Sequence, residues 1–274
     1  MRLIREHSTS KRLVELISNL RELDDARRNS IGHADLCEVS WVSPISILPL
    51  AVYANHCSIS INCLEQDSRI LTYLEAICFQ QGTRQPSISW KNYLPITKLS
   101  CGDKNDLVLS RYEDLILSNI PAKNRQPSLN SLKLLTSEII ANIREHARVE
   151  DYWILAQYWN GTGTCEIAMC DAGIGYKESY RGTQFEVEQH IDAIRNALQG
   201  KSSKDPDERG TGIPTIVRMF VEGYGGEVVI LSGDSLLYIH NRESIPYLVG
   251  LEWPGSFVGI RFRLKPIDIY RYLR

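Results

Sequence analysis

Residues 137–147 read SEIIANIREHA, and the interpretation of the chain starts from this stretch. Glu138 and Asn142 are four residues apart, so on a helix they lie one above the other on the same face. Such a helix can pack an apolar flank on a sheet while it presents a carboxylate and an amide to a pocket. The apolar flank would consist of Leu132, Leu135, Ile139, Ile143 and Ala147.

The chemistry of the Glu–Asn pair suggests a site. A carboxylate such as Glu138 can orient or deprotonate a nucleophile, and the amide oxygen of Asn142 is a suitable hard ligand for Mg²⁺. We therefore predict Glu138 as a catalytic residue and Asn142 as a metal ligand. A Glu–Asn pair at this spacing is a weak signal when it is taken alone. The alternative is therefore a surface helix whose polar edge contacts only water.

Two later stretches favour the site. Residues 168–175 read AMCDAGIG, a short apolar run that ends in Asp171 and continues into Gly173 and Gly175. Residues 209–216 read RGTGIPTI, a glycine-rich turn that runs into a helical pattern with a proline in its first turn. The order along the chain is therefore a helix with a Glu–Asn pair, a strand followed by DxGxG, and GxG at the start of another helix.

This order resembles the nucleotide-binding domain of the GHKL family, which includes DNA gyrase, histidine kinases and the anti-sigma-factor serine kinases. The resemblance covers approximately residues 125–265. It implies an α/β sandwich of the Bergerat type that binds ATP or ADP together with Mg²⁺. It also assigns three boxes: Glu138, Asn142 and His146 to the N box, Asp171, Gly173 and Gly175 to the first glycine box, and Gly210 and Gly212 to the second.

Asp171 and Ser256 are the predicted adenine contacts. A carboxylate at a strand end can accept a hydrogen bond from the adenine amino group, which would favour adenine over guanine, and the resemblance gives Asp171 this role. The alternative for Asp171 is a turn or N-cap aspartate before two glycines. Ser256 stands where the last box of the family commonly has a threonine, and since it keeps the hydroxyl we expect an adenine-side contact from it.

Phosphate contacts are expected from glycines and from residues near them. Glycine lets backbone N–H groups approach a phosphate closely, and the helix after the second glycine box adds a partial positive charge. The segment 200–209 has the polar composition of a mobile lid, and a solvated charged loop is the alternative. The candidates in and beside this segment are Lys201, Ser202, Arg209, Thr211 and Ile213.

Glu145 departs from the family pattern. It stands at a position where many relatives have a basic residue, and helical phase places it beside Glu138. A like charge near a triphosphate is unfavourable unless it points to solvent. This departure argues against efficient turnover more than against nucleotide binding.

The N-terminal part has the pattern of a small α/β module. Helical spacing predicts a helix over 10–23, which either caps the domain or mediates dimerisation, and a strand–helix–strand–helix order follows over 35–79. Residues 39–54, VSWVSPISILPLAVYA, are similar to the strand–turn–helix of STAS domains, in which a serine before the helix can be phosphorylated. Ser43 is the nearest match, but Pro44 follows it, and a helix N-cap is the favoured interpretation of Ser43.

We predict a STAS-like module over 1–110 and the nucleotide-binding domain over 111–274. A polar segment that contains several prolines joins them, and a short helix is expected at 112–120. The second part is expected to form a largely antiparallel sheet covered by helices on one face. Its predicted elements are strands at 151–159, 164–170, 227–232, 236–240 and 257–264, a loop at 176–182 and a helix at 185–198.

Composition limits the class of protein. The 274 residues carry a net charge of −2 and the pI is about 6.3, so nucleic acid is not expected as a partner. The sequence has neither a long apolar run nor the pattern of a signal peptide, and we expect a soluble cytoplasmic protein without a membrane partner. Seven cysteines without CxxC spacing indicate buried thiols in a reducing compartment.

Three functions stay open at this point. The first is an ATP-dependent signalling protein whose nucleotide state controls contacts with a protein partner, with slow hydrolysis. The second is a protein serine kinase of the anti-sigma-factor type, in which Glu138 activates the serine. The third is an interaction module with a relic nucleotide pocket. A sensor histidine kinase is disfavoured, because residues 115–133 contain no histidine.

Overall fold

The computed structural model describes residues 9–35, 42–62, 67–86, 92–102, 106–118, 122–201 and 212–272. In these ranges the helices are α1 (Thr9–Arg28), α2 (Pro44–Cys57), α3 (Ser68–Ala76), α4 (Asp106–Leu117), α5 (Ala122–Asn142), α6 (Gly175–Ser179), α7 (His190–Leu198) and α8 (Gly212–Arg218). The strands are β1 (His33–Asp35), β2 (Ser60–Asn62), β3 (Tyr93–Ser100), β4 (Asp151–Trp159), β5 (Thr164–Cys170), β6 (Glu227–His240) and β7 (Glu243–Arg263). None of these helices is both long enough and apolar enough to cross a membrane.

Five strands form one antiparallel sheet in the order β3–β4–β5–β7–β6. The predicted bounds of β4 and β5 are confirmed, and their hairpin places Asp171 immediately beyond the end of β5. β6 is one long strand where two shorter strands were predicted. Shifts of register on both sides of Gly233 let it continue through the expected break.

Both faces of this sheet are buried. In β4, Tyr152 and Ile154 belong to one hydrophobic cluster, whereas Trp153 and Leu155 belong to another. Successive residues of a strand point to opposite sides, so the two clusters lie on opposite faces. Burial on both sides explains why β4 is apolar almost throughout. The second part was predicted to have helices on one face of its sheet, and the opposite face is covered by helices of the N-terminal part.

α5 packs on the face that carries the candidate site. The predicted apolar flank of this helix is confirmed, since its residues lie in one hydrophobic cluster: Leu132, Leu135, Ile139, Ile143 and Ala147. Residues of α4, α7 and α8 belong to the same cluster. α4 is longer than the predicted short helix and begins at Asp106. These helices fix the position of α5 over the sheet.

The N-terminal helices α1 and α2 cover the opposite face. β1 and β2 pair in parallel, and α2 connects them. Residues from both helices share a cluster with residues of the sheet, among them Leu13, Leu16, Ile47, Leu48, Leu155, Val229 and Phe257. β3 also precedes the predicted boundary at 110, yet it is the edge strand beside β4. Residues on both sides of that boundary therefore build the same sheet and its covering layers.

Ser43 is the N-cap of α2, as predicted. Its backbone is extended, and its N–H donates to the Ser46 hydroxyl at 3.0 Å. Pro44 occupies the first turn, where a missing N–H is tolerated. Ser43 is only 1% exposed, which disfavours its alternative role as a phosphorylation site.

Three local predictions need correction. β3 was missed within a polar, Pro-rich segment, because Pro95 lies at an irregularity of an edge strand, where a missing donor is tolerated. Part of the predicted loop at 176–182 is helical, in α6. α7 begins at His190 instead of 185. Most of the strand predicted at 35–39 falls outside the described residues.

Candidate functional site

Glu138 and Asn142 lie on the last turns of α5, and the helix then widens into a π-helical turn, Ile143–Ala147. Glu138 is partly buried. Burial raises the pKa of its carboxyl, and the negative charge of Glu145 raises it further. Glu145 thus acts electrostatically on Glu138, as its helical phase predicts. A carboxyl group with a raised pKa is a stronger base once it is ionised.

The amide of Asn142 is incompletely satisfied. Its Nδ2 atom is buried and has no hydrogen-bond partner among the residues that the structure describes. A buried donor without a partner loses its hydration without compensation. Such a group is expected where a ligand supplies the missing acceptor. Rotation of the amide by half a turn would place Oδ1 at the same point.

The first glycine box packs against the C-terminal end of this helix. The Ala147 carbonyl accepts a hydrogen bond from the Ile174 N–H at 3.1 Å. It is available because the helix ends there and Arg148 is left-handed, with φ 56°. Gly173 lies so close to the Ala147 carbonyl that a Cβ atom would overlap it. A larger residue at this position would push the loop away from the helix.

Asp171 is the centre of a hydrogen-bond network at the end of β5. Its Oδ1 accepts from the Gly173 N–H at 2.8 Å, and its Oδ2 accepts from the Ser256 hydroxyl at 2.6 Å. Burial raises the pKa of the Asp171 carboxyl, whereas the hydrogen bonds from Ser256 and Gly173 act in the opposite direction. The two predicted adenine contacts, Asp171 and Ser256, are therefore in direct contact.

Ser232 and Gly255 belong to the same network; Gly255 precedes Ser256 in the predicted last box, whereas Ser232 was not predicted. The Ser232 hydroxyl donates to the Gly255 carbonyl at 2.8 Å and accepts from the Tyr176 N–H at 3.1 Å. A Cβ atom at Gly175 would lie 2.6 Å from this hydroxyl, so the first glycine box also packs here. The sequence offers one weak signal for Ser232, a single hydroxyl residue at the end of an apolar run and before a glycine.

The second glycine box lies against Glu138. α8 begins at Gly212, where a Cβ atom would overlap the Glu138 carboxylate. The next residue, Ile213, is 6% exposed and belongs to the hydrophobic cluster of α5. Ile213 therefore anchors the start of α8 in the core. The predicted site residues that these contacts connect are Glu138, Asp171, Gly173, Gly175, Gly212, Ile213 and Ser256, and Asn142 lies one turn beyond Glu138 on α5.

Lys201 contacts residues that were not predicted for it. Its Nζ donates to Asn196 Oδ1 at 2.7 Å and lies 5.8 Å from the centroid of the Phe185 ring. The N box histidine, His146, is partly exposed, and its Nε2 is 3.9 Å from Glu145 Oε2. Four predicted contacts lie outside the described residues, namely Ser202, Arg209, Gly210 and Thr211.

Metal-ligating side chains were compared among the described His, Cys, Asp and Glu residues. In the part of the chain that the structure describes, no group of three or more His, Cys, Asp or Glu side chains could hold a metal ion. Oxygen atoms of a bound ligand and of water are the ligands that a cation at Asn142 could add to those of the described residues.

Comparison of the chain with known protein families, curated proteins and solved structures found no match.

Proposed function

We propose that this chain binds ATP or ADP with Mg²⁺ and acts as a GHKL-type signalling protein in the cytoplasm. One observation carries the proposal: Glu138 with Gly212, Ala147 with Gly173, and Asp171 with Ser256 are contacts of one connected site. The nucleotide state would control contacts with a protein partner, and hydrolysis would be slow. A Bergerat arrangement is part of the proposal, and the antiparallel sheet with α5 on one face supports it.

Asp171 is the proposed acceptor for the adenine amino group. A carboxylate offers about four acceptor positions. Asp171 accepts from the Ser256 hydroxyl and the Gly173 N–H, and the backbone of Ser256 and of Asp171 itself also stabilises its charge, so the adenine amino group would compete with these donors. A further donor would favour the ionised carboxylate, because hydrogen bonds to the charged form lower its pKa. Adenine carries such a donor where guanine carries a carbonyl oxygen. The site would therefore prefer adenine nucleotides.

Asn142 and Gly212 are proposed for the phosphate side. The buried Nδ2 of Asn142 lacks an acceptor in the described part of the chain, and a phosphate oxygen would supply one. Gly212 has no side chain of its own at the start of α8, where it lies against the Glu138 carboxylate, and a backbone N–H group there would donate to a phosphate oxygen. Mg²⁺, when bound, would neutralise phosphate charge, and the side-chain oxygen of Asn142 is the ligand that this chain would offer.

Glu138 is the proposed base. Its carboxylate lies against Gly212, on the phosphate side of the site. Its raised pKa makes it better suited to accept a proton than an exposed glutamate. The charge of Glu145 contributes to this shift, but it also repels a triphosphate. Binding with slow turnover is the expected combination.

Calorimetric titration with ADP and ATP, in Mg²⁺ and in EDTA, tests this proposal. Saturable binding that strengthens in Mg²⁺ is the expected result. Asp171→Asn should weaken it, and the matched control is Asp151→Asn, since Asp151 pairs at the surface with Arg84 and Lys98. If the folded wild-type chain binds neither nucleotide, the proposal fails and the interaction module becomes the better interpretation.

A protein serine kinase of the anti-sigma-factor type is the second candidate. The partly buried Glu138 is suited to take a proton from a serine hydroxyl as well as from water. Incubation with γ-labelled ATP and with proteins encoded beside this chain separates the two reactions. Label on a protein serine would indicate a kinase, whereas release of free phosphate alone would indicate an ATPase.

A further inference from the structure

The register of β6 and β7 shifts by two residues at Ser232. Three residues of β7, Pro254, Gly255 and Ser256, stand opposite this single residue of β6. Such a bulge bends its strand and turns side chains out of the regular alternation, and bulges are frequent beside active sites. The last residue of this bulge, Ser256, is the one that donates a hydrogen bond to Asp171.

The Ser232 hydroxyl connects the bulge to the first glycine box. It donates to the Gly255 carbonyl at 2.8 Å and accepts from the Tyr176 N–H at 3.1 Å. Tyr176 directly follows Gly175, and a Cβ atom at Gly175 would lie 2.6 Å from the same hydroxyl. Because Ser232 is only 1% exposed, bulk water does not compete for these two bonds. A single buried hydroxyl therefore fixes β6, the bulge and the start of α6 relative to one another.

The Gly255 peptide group transmits this constraint to Asp171. Its carbonyl carbon is bonded to the Ser256 nitrogen, and the peptide group is planar, so a bond that orients the carbonyl also orients the backbone of Ser256. Gly255 is left-handed, with φ 80°, and a Cβ atom there would overlap the Asp171 carboxylate. The placement of Asp171 and Ser256 therefore depends on the bulge geometry that Ser232 maintains.

Ser235 offers a comparison on the same strand. Its side chain is also buried, and its hydroxyl donates to Asp234 Oδ1 at 2.7 Å. The same Asp234 oxygen lies 3.0 Å from His190 Nδ1 of α7. These partners belong to β6 and α7, whereas those of Ser232 belong to the bulge and to the residue after the first glycine box. Loss of either hydroxyl removes a buried hydrogen bond of β6, but only Ser232 lies beside the contacts of Asp171.

We propose that Ser232 is a positioning residue for adenine recognition, which acts by fixing the Gly255–Ser256 peptide beside Asp171. The inference rests on the proposed function and adds to it a residue outside the predicted boxes. A hydrogen bond weakens steeply when its angle departs from linearity. A displaced Asp171 would therefore lose the adenine amino group, while the phosphate side of the site keeps its own contacts. Ser232 thus sets the preference for adenine over guanine.

Calorimetric titration of the full chain with ADP and with GDP, both in Mg²⁺, tests this preference. Ser232→Ala should reduce the ratio of ADP affinity to GDP affinity by about tenfold, because one hydrogen bond to the base is lost or weakened. Ser235→Ala is the matched control and should keep the wild-type ratio. General destabilisation lowers the binding-competent fraction equally for both nucleotides, so it would leave the ratio unchanged.

Titration of the Asp171 carboxyl group by carbon-13 NMR tests the positioning without nucleotide. The hydrogen bond from Ser256 lowers the pKa of this carboxyl. Ser232→Ala should weaken that bond and so raise the Asp171 pKa, whereas Ser235→Ala should leave it unchanged. Should Ser232→Ala not fold, Ser232→Cys replaces the hydroxyl by a thiol, a weaker donor and acceptor. It should change the affinity ratio and the pKa in the same directions.

The two measurements separate the role of Ser232 from the nucleotide function. An unchanged affinity ratio or an unchanged Asp171 pKa in a folded Ser232→Ala chain would overturn the inference, and ADP binding by the wild-type chain would leave the proposed function standing. If the wild-type chain binds neither nucleotide, the proposed function fails and the adenine role of Ser232 fails with it. A raised Asp171 pKa in the variant would then still show that Ser232 positions this carboxyl.

Discussion

The Ser256 hydroxyl donates a hydrogen bond of 2.6 Å to Asp171 Oδ2, although the two residues are 85 positions apart. The bond joins the end of β5 to β7, and the Asp171 N–H donates back to the Ser256 carbonyl at 3.0 Å. The hydrogen bond from the Ser256 hydroxyl favours the ionised form of the Asp171 carboxyl group, whereas burial disfavours that form. Asp171 and Ser256 therefore form one hydrogen-bonded unit, and substitutions at either residue should affect the same proposed ligand contact.

Asp171→Asn should weaken adenine nucleotide binding by about tenfold to a hundredfold, because a hydrogen bond to a charged group is lost or redirected. The amide keeps one acceptor, and Ser256, Gly173 and the adenine amino group would compete for it. Calorimetry measures the change, with Asp151→Asn as the control that keeps wild-type affinity. Unchanged affinity in a folded Asp171→Asn chain would remove this residue from adenine recognition.

Asn142→Ala should reduce nucleotide affinity more in Mg²⁺ than in EDTA, because one oxygen ligand is lost. The free protein should keep its melting temperature, since the variant removes a buried donor that has no described partner. Paired titrations and a thermal melt measure both effects. Asn130→Ala on the same helix is the control, as Asn130 accepts a hydrogen bond from the exposed Gln126. An equal loss in Mg²⁺ and EDTA would contradict the ligand role.

Glu138→Gln should abolish hydrolysis or phosphotransfer while nucleotide binding persists, because the amide cannot accept a proton. Phosphate release and calorimetry measure the two properties on the same sample. Glu113→Gln is the matched control, since Glu113 on the neighbouring α4 also has a pKa raised by burial. Turnover at the wild-type rate in Glu138→Gln would show that another group is the base.

The pH dependence of turnover should report the raised pKa of Glu138. The ionised form is the base, so the rate should rise with pH through a range above that of an exposed glutamate. Glu145→Gln removes a charge that raises this pKa and should move the rising limb to lower pH. A limb that stays in place in the variant would mean that Glu145 does not act on the base.

Gly173→Ala should destabilise the fold by about 1–3 kcal/mol or displace the loop, because a Cβ atom would overlap the Ala147 carbonyl. Denaturant unfolding and ADP titration together distinguish the two results. Gly161→Ala is the control, since a Cβ atom at Gly161 meets nothing within 4 Å. A variant with normal stability and normal ADP affinity would contradict the close packing of this loop on α5.

The sequence by itself determined the elements that depend on local patterns. The β4–β5 hairpin is predicted with its observed bounds, because two β-prone runs flank a glycine turn and leave few alternatives. The apolar flank of α5 follows from helical periodicity. Asp171 falls at a strand end for the same local reason. Side chains close together in the chain set these features, so one sequence is enough to predict them.

Only the tertiary structure decided which distant segments meet. The contact of Ser232 with Gly255, and that of Gly212 with Glu138, depend on strand register and helix packing between separate parts of the chain. The same holds for α1 and α2, which cover the second face of the sheet. An apolar strand face predicts that this face is buried, but it does not indicate which element covers it. The pairing of β5 with β7 therefore settles where the network around Asp171 closes, because it brings together residues that no local pattern relates.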